Sequence, residues 1–320
     1  MTVSGLPLET ATRCRYRAYG VELACEFPLA GGIPAPGTGP AAQLVTARAQ
    51  PRRQVEALWS GSGEPLHRAL LGAATPLAVE RGEQGDHLVR HGEHLFHLSA
   101  DLAVLSCTPP ALADAGWEQA LLDWAAYSVA ALTGTPCLHA AAVATAAGGV
   151  AVAAAGGGGK STLAAELVAA GAGFVADDVL ALAAGEGIVS AHPGAPFARL
   201  DRGSRDLAEQ LGAPRGAVGD ELWVAVRDPA TEPVPVTAIV ILDRRREGPA
   251  LPRLEPAGFF DLRALAIGFG AAAPERRRFE LLAALAEQAP PLRLLANSAT
   301  PPEMLAAAVL DELGPGGRRC

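Results

Sequence analysis

The chain has 320 residues, 50% of them hydrophobic and 19% charged, with a net charge of −8. That composition supports a packed core and excludes general disorder, and an acidic chain with no basic run longer than three residues argues against a nucleic-acid partner. Its 36 Gly and 26 Pro stay below the low-complexity range, and five widely spaced cysteines without a CxxC pair argue for reduced thiols of a cytoplasmic protein, not a disulfide framework or a Cys-based zinc site.

Residues 1–12 read as a loose leader without the basic-then-apolar order of a signal peptide. Arg15–Phe27 alternates well enough for a strand, Gly31–Pro40 is a breaker-rich loop, and His87–Cys107 reads as short strands turning at His91–Glu93. The expectation is a small β-rich N-terminal unit over residues 13–108. A helix follows: Asp114 can cap it, Trp117, Leu121, Trp124, Val129 and Leu132 recur near the helical period, and Gly134 ends it. Glu118, Gln119 and Asp123 are expected to face away from that apolar stripe. The apolar run Ala140–Ala155 has 16 residues, short of the ~20 that span a bilayer, so no membrane segment is expected.

Within a second unit, residues 109–320, strands are expected at Cys137–Ala144 and Gly148–Ala155, joined by a turn at Thr145–Gly149. A glycine run, a helix from Lys160 to Ala170 closed by Gly171, a strand Gly173–Asp178 and a hairpin over Val179–His192 about Gly185–Gly187 come next. Later strands are expected at Leu222–Val226, Val236–Leu242 and Leu292–Ala296, and helices at Ser204–Leu211, Pro274–Gln288 and Pro302–Leu313. Strands interleaved with helices predict the α/β class, and the hairpins predict a mixed sheet.

One motif carries chemistry. Of the 26 basic residues only Lys160 is a lysine, and it falls inside GGGGKST. Ala154–Ser161 matches the phosphate-binding pattern G-x-x-x-x-G-K-[ST], with Ala154 in place of the first glycine. Gly156, Gly157, Gly158 and Gly159 let successive backbone N–H groups turn toward phosphate oxygens, and the helix start at Lys160, Ser161 and Thr162 adds positive potential. Lys160 can reach the outer phosphates and the Ser161 hydroxyl can ligate Mg²⁺. Asp177 and Asp178 follow Lys160 by 17 and 18 residues. A short helix and one strand cover that distance and return both carboxylates toward the phosphates, antiparallel or adjacent to the loop strand. One can hold the metal while the other accepts a hydroxyl proton. His139 lies in the strand expected to pair with the loop strand, at one end of the same site.

Other signals are weaker. His87, His91, His94 and His97 would scatter over both faces of a strand–turn–strand, and no carboxylate or Cys pattern completes a metal site. Arg199 and Arg227 could bring charge to a transition state, although a solvated surface position is the simpler expectation for each. Arg244–Arg246 and Arg276–Arg278 read as solvated runs able to attract an acidic peptide or a phosphate. Phe259, Phe260 and Phe269 are expected to pack the core or line a substrate groove.

The segments Leu138-His139-Ala140, Gly157-x-Gly159-Lys160-Ser161-Thr162-Leu163-Ala164 and Val175-Ala176-Asp177-Asp178 together resemble the kinase domain of HPr kinase/phosphorylase and its relatives, and the Lys-to-Asp step is that family's own spacing. A wider resemblance, over roughly residues 15–310, is to HPr kinase-related proteins of bacterial peptide-modification gene sets. It is carried by Tyr16-Arg17-Ala18-Tyr19-Gly20, Pro28-Leu29, Leu138-His139-Ala140 and His192-Pro193…Leu200. The resemblance implies a mixed-sheet P-loop kinase core of the HPr kinase and phosphoenolpyruvate carboxykinase type. It implies transfer of phosphate from ATP, with Mg²⁺, to a serine hydroxyl of a peptide or small protein such as a RiPP or lasso precursor. Lys160 and the glycines would bind phosphates, Ser161 and Asp177 the metal; Asp177 and Asp178 would share metal and base duty, and His139 would contact the transferring phosphate. A small-molecule acceptor, phosphorylase activity, a nucleotide-binding regulator without turnover, GTP in place of ATP and a homo-oligomer all stay open at this point.

Overall fold

The computed structural model describes residues 14–29, 43–59, 61–71, 75–111, 114–218, 220–269 and 275–313. The leader, the Gly31–Pro40 loop and Pro274 lie outside the described residues. The described residues form a mixed α/β fold with three sheets.

The first sheet has eight strands and is drawn from residues 14–107. Arg15–Phe27 is not one strand. Cys14–Ala18 and Val21–Cys25 pair antiparallel about a turn at Tyr19 and Gly20, whose φ values are 56° and 77°. Tyr19 is buried, so polarity does not mark the turn and Gly20 is its main sequence signal. Gln43–Ala49 then runs parallel to both Val21–Cys25 and Val104–Cys107. Antiparallel pairing of Gly63–Leu71, Thr75–Gly82, His87–His91 and His94–Leu98 completes the order.

Asp114 caps the next helix, accepting the N–H groups of Gly116 at 2.9 Å and Trp117 at 3.2 Å. Ala115–Gln119 continues through a π-helical turn, Ala120–Ala125, into Ala126–Leu132. The Thr135 N–H returns to the Ala130 carbonyl and that of Gly134 to Ala131, a Schellman closure about a glycine with φ of 85°. This helix is wrapped on all sides. Trp117, Leu121, Trp124 and Tyr127 share a core with Val45, Val89, Phe96 and Leu105 of the first sheet and with Val179 and Phe197 further on. Glu118, Gln119 and Asp123, expected to face away from the apolar stripe, are therefore buried as well.

The central sheet has ten strands. Its heart is Ala141–Thr145 and Gly148–Ala154 as a hairpin, with Gly173–Ala176 antiparallel on the outer side and Val234–Arg245 parallel on the inner side. Val234–Arg245 pairs with Ile188–Ala191 at its start and runs parallel to Pro291–Asn297 from Ile239 onward. Alternation decides the faces. Ala141, Val143, Val150 and Val152 pack under the helices Lys160–Ala169 and Pro302–Leu313. Ala142, Ala151 and Ala153 face the helix Glu275–Gln288, through Leu282 and Leu285. A third, antiparallel sheet of Phe197–Asp201, Glu221–Val226 and Gly212–Val218 packs with Arg205–Leu211 against the outer end. Among the described residues no helix is long and apolar enough to cross a membrane.

Candidate active site

The strand Gly148–Ala154 leads into the exposed residues 155–157, and the chain re-enters as the helix Lys160–Ala169. Two glycines make the reversal possible. A Cβ on Gly158 would stand 2.8 Å from the Ala155 carbonyl oxygen, and Gly159 has φ of 92°. Ala154 ends the strand without a left-handed φ, so a methyl group replaces the pattern's first glycine at no backbone cost. No side chain caps the helix, and its first N–H groups are left to the loop. Gly156 and Gly157 are exposed at the loop tip, while Ser161 and Thr162 are half-buried in the first turn. At the other end Ala172 N–H bonds Leu167 and Gly171 N–H bonds Val168, which stops the helix and turns the chain into Gly173–Ala176.

Gly173–Ala176 is not adjacent to the loop strand. Ala141–Thr145 lies between them, antiparallel to both, so the acid-bearing strand runs parallel to the loop strand one place away. The parallel sense brings Asp177 and Asp178 to the same sheet end as Lys160. Asp178 has φ of 67°, a left-handed conformation that Asp tolerates better than most residues.

The side chains then interlock. Asp177 Oδ1 accepts the Ser161 hydroxyl at 2.8 Å and the Asp178 N–H at 2.9 Å, and its Oδ2 accepts the Arg199 N–H at 3.0 Å. Asp178 Oδ1 accepts Lys160 Nζ at 3.0 Å, and its Oδ2 accepts the Arg199 guanidinium. His139 sits where the expected strand Cys137–Ala144 divides into Cys137–Leu138 and Ala141–Thr145. Its own N–H is tied to the Leu265 carbonyl, and its Nδ1 lies 3.1 Å from the Asp178 carbonyl oxygen. A carbonyl only accepts, so Nδ1 carries the proton in this contact, and in the neutral ring Nε2 is an acceptor. His139, Lys160, Ser161, Asp177 and Asp178 thus meet in one place.

Burial alone would raise the Asp178 carboxyl, but Arg199, Lys160 and His139 hold it far below the usual carboxylate range. Burial would lower Lys160 and Arg199; the facing carboxylates outweigh it and both cations are held above their ordinary values. Two carboxylates therefore face two permanent cations. A carboxylate this acidic is a poor proton acceptor, because general bases work best with a pKa near the working pH. Asp178 can take a proton only when Lys160 and Arg199 are drawn toward another anion.

Arg199 departs from the surface position expected for it. It is not solvated: its side chain is 16% exposed and its guanidinium lies 5.6 Å from the centre of the Trp124 ring. Arg244 is likewise no surface charge. It donates to the carbonyls of Ser298 at 2.6 Å and Thr300 at 2.9 Å, and its Nη1 would be 3.4 Å from a Cβ on Gly159. Its Nε is buried without a partner. Val234–Arg245 runs three residues past the expected end at Leu242 and so carries Arg244 to the loop. Arg227 is exposed, with no contact to these groups among those observed. Arg276 pairs with Glu280, Phe269 is in the core, and Phe260 is 77% exposed. His91 stacks on Trp124 and His97 bonds Asp86 at 2.8 Å; among the described residues no three His, Cys, Asp or Glu side chains gather to hold a metal ion.

No protein-family model and no curated protein matches the chain. Among solved structures it is similar to the Hpr(Ser) kinase/phosphatase from Coxiella burnetii, with a TM-score of 0.31 and 16% identity, over 55% of this chain and 88% of that one.

Proposed function

We propose that the protein is an ATP-dependent kinase that transfers the γ-phosphate to a serine hydroxyl of a peptide or small protein. The observation that carries this reading is the convergence of Lys160, Arg199, Asp177, Asp178 and His139 at the start of a helix entered through a glycine loop. In the reading, the loop N–H groups and Lys160 bind the phosphates, and Arg199 moves from Asp178 to the transferring group. Asp178, relieved of its cations, orients the serine and takes its proton. The serine Oγ bonds to the γ-phosphorus, the bond from that phosphorus to the bridging oxygen breaks, and ADP leaves with the electron pair.

Ser161 and Asp177 suit a magnesium ion. Mg²⁺ takes one or two carboxylates and fills its remaining positions with water and phosphate oxygens, so it needs no cage of protein ligands. When bound it would neutralise charge on the phosphates.

The test is phosphotransfer followed by mass spectrometry, with ATP, Mg²⁺ and a panel of serine peptides that includes ones ending in serine. The expected product is a phosphopeptide that is absent with Lys160→Ala. ATP binding with no phosphorylated product on any peptide refutes a peptide kinase. A nucleotide-binding regulator is the second reading, favoured by one observation: Asp178 is locked between two cations in this structure. It predicts tight ATP binding and no product with any acceptor.

A further inference from the structure

One cation beside the loop has no part in the chemistry proposed above. Register places it. The pairing of Gly148–Ala154 with Val234–Arg245 ends at Ala154 opposite Leu242, so Arg244 stands two residues further on, level with the glycine loop. Val240 and Leu242 pack under the helix Lys160–Ala169, and alternation brings Arg244 up on that same face. The two strands are parallel, and α/β sheets bind ligands beyond the carboxyl ends of such strands. The turn after Pro291–Asn297 aims the side chain. Both hydrogens of Nη2 are used there, on the Ser298 carbonyl at 2.6 Å and the Thr300 carbonyl at 2.9 Å. The turn is itself braced, because the Ser298 N–H donates to the Arg245 carbonyl at 2.8 Å and the Asn297 amide to the Arg246 carbonyl at 2.6 Å. Nη1 is left beside Gly159, 3.4 Å from where a Cβ would stand.

We propose that Arg244 is a nucleotide-binding residue: the donors that face away from the turn take a phosphate oxygen of the polyphosphate seated on the glycine loop. Two observations carry this. A guanidinium has five donors, and among the described residues only the two on Nη2 have partners, with Nε buried and without one. Its charge is also uncompensated. Lys160 and Arg199 are paired with Asp177 and Asp178, and neighbouring Arg245 with Asp243, whereas among the described residues no carboxylate lies within ion-pair distance of Arg244. Bracing a turn needs only Nη2 and explains neither the spare donors nor the unpaired charge. A polyphosphate reaching the loop therefore meets one cation that is already free, while Lys160 and Arg199 have first to leave their acids. The sheet order puts the acid-bearing strand two places to one side of the loop strand and the strand of Arg244 one place to the other, so the phosphates would be held from both sides. The inference rests on the phosphate-loop reading and adds to it a second wall of the nucleotide site.

The experiment is calorimetric titration of the full chain with ATP and with ADP, each with Mg²⁺, for the wild type and Arg244→Gln. Gln keeps an amide donor for the turn carbonyls and loses the charge. Arg244→Gln is expected to weaken both nucleotides about tenfold at about 0.1 M NaCl, the size of one charge-assisted contact. The difference should shrink to about threefold or less near 1 M, because the screening length falls from ~10 Å to ~3 Å. A slackened turn would instead lower affinity equally at both salt concentrations. Equal affinities of the two proteins, or a loss that salt does not reduce, overturns the proposal. Should Arg244→Gln fail to fold, the wild type carries the test through phenylglyoxal modification, located by peptide mass spectrometry. ADP at about ten times its Kd should slow reaction at Arg244 about tenfold by occupancy, and leave exposed Arg227 unchanged. Absence of protection at Arg244 overturns the proposal. A wild type that binds neither nucleotide refutes the phosphate-loop reading and the role of Arg244 with it. Binding that depends on Arg244 in a protein that phosphorylates nothing would sink the kinase reading and leave that role standing.

Discussion

Removing Arg199 should destabilise the ligand-free protein, and the amount should depend on Asp178. The two side chains are 16% and 21% exposed, so solvent screens them little. Breaking a buried ion pair by deleting one partner costs about 3–5 kcal/mol, because the other charge stays buried. Asp178 keeps Lys160 at 3.0 Å and His139 at 3.4 Å, which places Arg199→Ala at the low end, about 3 kcal/mol. Asp178→Asn is the right companion, since Asn accepts the left-handed φ of 67° and the substitution leaves the backbone alone. With Asn at 178, Arg199 no longer neutralises a buried charge there, and deleting it should cost about 2 kcal/mol less. Equilibrium urea unfolding of the wild type, both single variants and the double variant measures this coupling at pH 7. Additivity within about 0.5 kcal/mol would mean that the two groups are independent and that the charge lock does not exist.

Three further outcomes follow from the same geometry. Gly159→Ala puts a Cβ on a residue with φ of 92° and 3.4 Å from Arg244. It should destabilise by about 1 kcal/mol or more by thermal unfolding and weaken ATP binding by calorimetry. Arg244→Ala removes a cation whose buried Nε lacks a partner beside the loop. ATP affinity should fall about tenfold, the size of one charge-assisted contact, while the melting temperature moves little. Burial pushes the Asp123 carboxyl up to about 6 despite the pull of Arg199. The unfolded carboxyl ionises near 3.8, so stability falls as pH rises from about 4 to about 6, by up to about 3 kcal/mol, and is level above that. Asp123→Asn lacks this loss, and unfolding measured across that window should show the variant gaining on the wild type and then running parallel to it.

The legible parts of the sequence were those whose geometry is local. A glycine run after an apolar strand, one lysine and a ten-residue helix closed by Gly171 define strand, loop and helix within 24 residues, Gly148 to Gly171. The acids lie a single strand further on. Elements whose meaning depends on remote partners were not legible. Gly63–Leu71 and Gly212–Val218 contain Gly and Pro that weaken strand propensity, and their pairing with neighbours overrides it. Glu118 and Asp123 read only as residues off the apolar stripe until Arg215 and Tyr19 arrive from 97 and 104 residues away. Arg199 reads as a surface residue because nothing nearby in sequence is its partner. Its strand comes past the acids after the Ile188–Ala191 hairpin arm and a stretch whose Pro193 carbonyl accepts the Tyr19 N–H.

Asp123 is an ionised carboxylate that the fold disfavours near neutral pH, with the penalty coming from burial and partly relieved by Arg199. Asn keeps the shape and an acceptor for the Tyr19 hydroxyl and removes the charge. The substitution should therefore raise stability at pH 7. Equilibrium urea unfolding at pH 7 should give Asp123→Asn a higher midpoint than the wild type. A lower midpoint would mean that the contacts of the ionised carboxylate outweigh the cost of burying it.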